Sequence, residues 1–211
     1  MKKRNLRYNA GMKWIIVGLG NPGGEYAKTR HNAGRIVIEQ FRKKYNFSSW
    51  EYKKTYDALA SYGEIAGNEV VLLEPETYMN QSGKSLLTLV KSPDQAAQLI
   101  VIHDDADLPT GDWRSARDRG AGGQNGVVSI IAAIKTRDFY RFRVGVAPAI
   151  TLDAPRRKAG DFVLEKFTVE ELSTIKSRSI GIAERIVFLI TNGHEKFKDT
   201  IKKVRSQDLK S

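Results

Sequence analysis

The sequence predicts an α/β fold: a single three-layer domain with a mixed, largely parallel central sheet flanked by helices. Three observations carry that expectation. Trp14 to Val17 and Leu99 to Ile102 are short apolar runs without polar alternation, as in strands buried on both faces. Between such runs lie segments whose apolar residues recur at helical spacing. The strand-like runs end in glycine or in acidic residues, where ligands of open α/β sheets gather.

The elements follow in order. Trp14 to Val17 leads into Gly18-Leu19-Gly20. Asn32 is placed to cap the next helix, in which Ile36, Val37, Phe41 and Tyr45 share a face. Arg42, Lys43 and Lys44 close its last turn, where cations suit the helix dipole. Glu69 to Leu73 is β-rich and is broken at Pro75. Ser82 opens a helix with Leu86, Leu87, Leu89 and Val90, and the strand Leu99 to Ile102 runs into Asp104-Asp105-Ala106-Asp107. The loop Gly120 to Gly126 precedes a helix with Val127, Ile130, Ile131 and Ile134. Tyr140, Phe142, Val144 and Val146 alternate with Arg141 and Arg143, which reads as a strand with one apolar face. Thr168 to Glu171 has the form of a capping box and starts a long helix that stops at Asn192-Gly193. No repeat or linker divides the chain. The expected organisation is one domain over 13–193, a basic N-terminal extension at 1–12 that need not be ordered, and a basic tail at 194–211.

At 211 residues the chain can bury a proper core without staples. It has no cysteine, which removes disulfides, thiolate catalysis and thiolate-bound metals and fits a reducing compartment. No apolar run approaches the roughly 18 to 20 residues of a membrane span. The basic N-terminus lacks the apolar core of a secretory signal, and Met12 is an alternative start. A soluble, cytoplasmic protein is expected. The net charge of +11 points to a polyanionic partner, and its distribution sharpens the point. Between Gly111 and Lys158 ten basic residues stand against four acidic ones, and Lys196 to Arg205 adds a second basic stretch.

Gly18 to Gly23 matches the G-x-G-x-x-G of dinucleotide-binding turns, but its context argues against that reading. Pro22-Gly23-Gly24 occupies the place where a phosphate-binding helix should begin, and the region about twenty residues on reads as helix rather than a second strand. The glycines instead form a tight loop that brings Asn21 over a pocket. Two polar clusters flank it: Tyr26 to Asn32, with His31, and Thr77 to Gly83, with Tyr78 and Asn80. Asp104, Asp105 and Asp107 also leave open a Mg²⁺ site for phosphoryl chemistry, although Leu108-Pro109 reads as a turn and no second ligand cluster accompanies them.

The runs V-G-L-G-N-P-G-x-E-Y (17–26), T-R-H-N-x-G (29–34), T-Y-M-N-x-S-G (77–83), H-D-D-x-D-L-P-x-G (103–111) and G-A-G-G-Q-N-G (120–126) occur in the order found in bacterial peptidyl-tRNA hydrolases. R-F-R-V-G-V (141–146) extends the match, which covers roughly Lys13 to Gly193, and the chain resembles that family. The resemblance implies hydrolysis of the ester between a peptide and the terminal ribose of tRNA, with no metal, no cofactor and no covalent nucleophile. His31 would be the general base on water, and Asp104 would orient it. Asn21, Asn80 and Asn125 would position substrate and water, with Tyr26 and Tyr78 lining the substrate pocket and Met79 packed beneath. Arg114, Arg117 and Arg143 would hold the acceptor stem and 3′ end of peptidyl-tRNA. A monomer without an obligate protein partner, and no contact with membrane, is implied as well.

The sequence departs from the family pattern in four places. Gln124 stands where many relatives have histidine. A basic clamp position falls on Ala116, so that Arg114 or Arg117 takes it over, and Val128 replaces a common lysine. Ala147 to Gly160 differs from the usual glycine-rich loop. The alternative reading is a catalytically silent family member that binds RNA, which would need none of His31, Asp104 and the three asparagines.

Overall fold

Continuous apolar runs that cannot be solvated on either face are driven to the middle of a sheet. In a computed structural model, which describes residues 13–148, 158, 160 and 162–208 with side chains through 198, they lie there. The strands are β1 (Trp14–Gly18), β2 (Glu51–Lys53), β3 (Ala58–Ile65), β4 (Asn68–Pro75), β5 (Leu99–Pro109), β6 (Trp113–Arg117) and β7 (Tyr140–Ala147). They form one sheet in the order β2-β3-β4-β1-β5-β7-β6. The central strands β4, β1, β5 and β7 are parallel, as the buried runs predict. β2, β3 and β6 extend the sheet by antiparallel pairing, so its parallel part is confined to the middle. The expected extension at 1–12 and most of the stretch 147–160 fall outside the described residues.

Helices α1 (Ala33–Lys44), α2 (Pro93–Ala96), α3 (Asn125–Ile134) and α4 (Val169–Asp208) flank the sheet. On one face Ile16, Leu72, Ile100 and Phe142 pack with residues of α1 and α4. On the other, Val17, Leu73 and Val101 pack with α3 and with a 3₁₀ segment, Met79–Leu86. These are the two cores of a three-layer domain. Each fully buried Phe or Ile side chain in them contributes about 1.5–3 kcal/mol relative to exposure.

Several elements differ from expectation. The helix expected from Ser82 is the 3₁₀ segment that begins at Met79. β5 runs on through the acidic residues, because Asp104 and Asp105 stay in register with Val144 and Gly145 of β7 before a bulge. α4 begins at the expected capping box: Thr168 Oγ1 accepts from the Glu171 N–H and Glu171 Oε2 accepts from the Thr168 N–H. At Gly193 its backbone turns to φ 74°, ψ 177°, and a second helical stretch follows, with Phe197 buried in the core. At Gly34 a Cβ would land on the carbonyl oxygen of Ile102 and on the backbone of Leu19. The first turn of α1 therefore lies directly against the carboxyl end of β1 and against β5 at Ile102. No described helix is long and apolar enough to cross a membrane.

Candidate active site

Two segments 73 residues apart meet at that close approach. His31 lies in a 3₁₀ turn, Arg30–Asn32, just before α1. Its N–H donates to Val163 O at 2.7 Å, while the Arg30 N–H donates to Glu165 O. The His31 Nδ1 is 2.9 Å from Asp104 Oδ2, with the side chains 12% and 4% exposed. A carboxylate only accepts, so Nδ1 carries a proton, and in the neutral ring Nε2 is then the nitrogen with the lone pair. Asp104 Oδ1 accepts from Gln124 Nε2 at 2.8 Å, and Gln124 Oε1 accepts from the Val127 N–H at 3.0 Å as the side-chain N-cap of α3.

Asn32 does not cap α1 with its side chain. Its amide pairs instead with the backbone of Asn21, accepting from Asn21 N and donating to Asn21 O, both at 2.9 Å. Two opposed bonds of this kind imitate a strand ladder and fix the backbone of Asn21 beside the 3₁₀ turn that carries His31. Arg35 adds a donor to Asn21 O at 3.0 Å and pairs with Glu74 and Glu76. Glu74 is buried, and burial, only partly offset by Arg35, raises its carboxyl to about 7. Asn21 Oδ1 accepts from the Met79 N–H at 2.8 Å, which leaves Nδ2 as the part of that amide available to a ligand.

An open cleft of about 1570 Å³ runs from His31 and Asp104 past the Gly120–Gly123 loop to Arg114, Arg117 and Arg143. Asn125 lines it as well. Asn21, Tyr26, Tyr78 and Asn80 stand outside this lining. Tyr26 is half-buried beyond the Asn21 loop, and exposed Tyr78 and Asn80 flank buried Met79. Met79 Sδ lies 3.3 Å from Gln124 Nε2.

The three predicted arginines occupy different settings. Arg114 and Arg143 are cross-strand partners in β6 and β7, so they share a face. Arg143 is ion-paired with Asp105, whereas Arg114 is exposed. Arg117 stands opposite Tyr140, is bonded to Asp138 at 2.6 and 3.1 Å, and lies over the Tyr140 ring. Arg141, expected on a polar face with Arg143, is only 2% exposed and gives Nη1 to Gly120 O at 2.7 Å. Burial, and then the charges of Arg143 and Arg119, pull its pKa down.

The acidic run is dispersed among partners: Asp104 to His31 and Gln124, Asp105 to Arg143 and to the Asp107 N–H. Among the described residues no three His, Asp or Glu side chains group to hold a metal. Two features escaped sequence reasoning. Arg30, buried beside His31, makes a two-pronged ion pair with Glu171 at 2.9 and 2.7 Å. Gln124, read from sequence as a mere variant, joins Asp104 to α3. For Arg30 the neighbouring histidine was a signal; for Gln124 its place one residue before a helical pattern marked an N-cap.

Comparison with known proteins adds to this geometry. The family model described as peptidyl-tRNA hydrolase matches residues 15–210. The chain is 35% identical over 185 residues to a peptidyl-tRNA hydrolase of Thermodesulfovibrio yellowstonii, covering 86% of this chain and 95% of that protein. With the Brevibacillus brevis peptidyl-tRNA hydrolase it shares 41% identity over 166 residues, 77% of this chain and 83% of the other. The crystal structure of Acinetobacter baumannii peptidyl-tRNA hydrolase matches the fold with a TM-score of 0.74 at 32% identity, over 87% of this chain and 91% of that one.

Proposed function

From the premise that this chain belongs to the peptidyl-tRNA hydrolase family, we propose that it frees tRNA by hydrolysing the ester between a peptide and the terminal ribose. The observation that carries this reading is the 2.9 Å contact of His31 Nδ1 with Asp104 Oδ2. With Nδ1–H so engaged, Nε2 takes a proton from water as the new C–O bond forms at the ester carbonyl. Asp104 stabilises the resulting imidazolium, a role that general-base catalysis rewards with about 10²- to 10⁴-fold in rate. The oxyanion of the tetrahedral intermediate is met by amide donors, for which Asn21 Nδ2 and Asn125 are the candidates. Collapse breaks the bond to the ribose oxygen, which takes the proton from His31 Nε2. Tyr26, Tyr78 and Asn80 line the path of the peptide and the terminal nucleoside.

The acceptor stem lies along the cleft, with its phosphates at Arg114 and Arg143. The cross-strand pairing supports Arg114, rather than Arg117, as the replacement for the basic position lost at Ala116. The protein works as a cytoplasmic monomer that needs no cofactor.

The test is release of an N-blocked amino acid from tRNA by intact protein and by His31→Ala, each with and without EDTA. Release that survives EDTA and collapses in the variant is expected. No release by intact protein would leave an RNA-binding protein and overturn the reading. Loss only with EDTA would replace it with metal chemistry at the aspartates.

A further inference from the structure

We infer that Gln124 is a positioning residue for hydrolysis: it fixes the carboxylate plane of Asp104, and through it the His31 ring, from the N-terminus of α3. The inference rests on the function proposed above and extends it to a residue whose amide is bonded to Asp104 and to the first turn of α3.

The two ends of the Gln124 amide are not interchangeable. The Val127 N–H is an unpaired donor of the first helical turn and needs an acceptor, so Oε1 faces it at 3.0 Å. That leaves Nε2 for Asp104 Oδ1, at 2.8 Å, with Met79 Sδ as a weak second acceptor at 3.3 Å. The helix end thus dictates the amide's orientation, and the amide presents a donor to Asp104. Gln124 itself is buried, so water does not readily substitute for it.

Asp104 needs such a donor. Its side chain is almost wholly buried, and His31 engages only Oδ2. Without Gln124, Oδ1 would be a buried anionic oxygen lacking its partner, and the carboxylate would be free to turn toward any other donor. Either outcome loosens the Nδ1–H···Oδ2 bond that keeps Nε2 of His31 basic and aimed at water. Because a carboxylate held at both oxygens cannot pivot, the dyad is a three-residue chain anchored on a helix. Binding of tRNA, governed by the arginines further along the cleft, does not depend on that chain.

Separating this role from simple helix capping takes two substitutions. In Gln124→Ser a short hydroxyl still caps the Val127 N–H but does not reach Asp104. In Gln124→His one ring nitrogen can accept from the cap while the other donates to Asp104. Steady-state release from N-blocked aminoacyl-tRNA and thermal melting would be measured for intact protein and both variants. For Gln124→Ser we expect a melting temperature close to that of intact protein, KM within about 3-fold, and kcat lower by at least about 10-fold, as for loss of a hydrogen bond to a charged group. Gln124→His is expected to restore kcat to within about 3-fold of intact protein, on the same reasoning. Full kcat in a stable Gln124→Ser would reduce Gln124 to a cap and overturn the inference. A loss of kcat that histidine does not restore, or a loss confined to KM, would overturn it too. If intact protein releases nothing, the function proposed above has failed instead.

Discussion

At the scale of single residues, the site depends on which atoms are left free once the buried ones are paired. Asp104 fixes the proton of His31 on Nδ1, so Asp104→Asn, which can present a donor there, should lower kcat by about 10²- to 10⁴-fold with little change in KM. Single-turnover release kinetics would show it; an unchanged rate would remove Asp104 from the mechanism. Two glutamates set opposite pH windows for stability. Burial raises Glu74 from 4.5 to about 7, so the folded state binds its proton more tightly than the unfolded chain. That contribution is full below 4.5 and is lost as pH rises through 7. For Glu39, burial acts upward but is outweighed by hydrogen bonds from Arg42, Trp50 and Lys43, which hold it at about 2. Its contribution is full above 4.5 and fades as pH falls toward 2. Melting temperature against pH should therefore decline less between pH 5 and 7 in Glu74→Gln, and less between pH 4 and 2 in Glu39→Gln. Parallel curves for variant and parent would contradict these assignments. His31 and Asp104 could be picked out in the sequence because the motifs around them resemble those of peptidyl-tRNA hydrolases. Asn32 and Gln124 could not: an amide's role is set by its partners, and those lie 11 and 20 residues away.

Among the elements, the strands with unbroken apolar runs were legible, and so was the start of α4, whose capping box is local. The outer, antiparallel strands were not. β6 reads Trp-Arg-Ser-Ala-Arg, and β3 carries a glycine and small residues; both exist because a neighbour offers an unpaired edge. The stretch opening at Ser82 reads as a helix because Leu86, Leu87, Leu89 and Val90 suit either winding, whereas the regular part is the 3₁₀ segment Met79–Leu86. Two predictions belong here. Glu171 serves both the capping box and buried Arg30, whereas Thr168 serves only the cap. Glu171→Ala should therefore cost about 3–5 kcal/mol, against about 1 kcal/mol for Thr168→Ala. Urea denaturation would check the order; equal losses would mean that the Arg30 pair contributes nothing. Gly34→Ala forces α1 away from β1 and β5, so about 1–3 kcal/mol of stability should go, and release activity with it. A Gly34→Ala protein with both intact would show that the approach is not tight.

For the whole molecule, the charge of +11 was the plainest signal in the sequence and the least specific. Pairing decides which of those cations are available. Arg117 is held by Asp138, and Arg143 is partly neutralised by Asp105, while Arg114 stands exposed on the cleft face. Arg114→Ala should weaken tRNA binding and lower the slope of log Kd against log salt by about one. Arg143→Ala should do the same to a smaller extent, because Asp105 already partly neutralises that arginine. Arg117→Ala should leave that slope nearly unchanged. Filter binding over a salt series separates them, and a slope lowered by Arg117→Ala would move the clamp to the other face of β6. The assignment could not be made from sequence because alternation along β6 shows only that Arg114 and Arg117 differ in face; both line the cleft, and the partner that occupies Arg117, Asp138, lies 21 residues away.

The bonds from Arg30 and His31 to Val163, Glu165 and Glu171 also bear on the order in which the protein is made. A ribosome delivers the histidine among the first residues and its last supports only when most of the chain has emerged. Every growing chain short of that point is itself a peptide esterified to tRNA. On the function proposed above, the backbone of His31 gains its anchors only once residues 163 to 171 are in place.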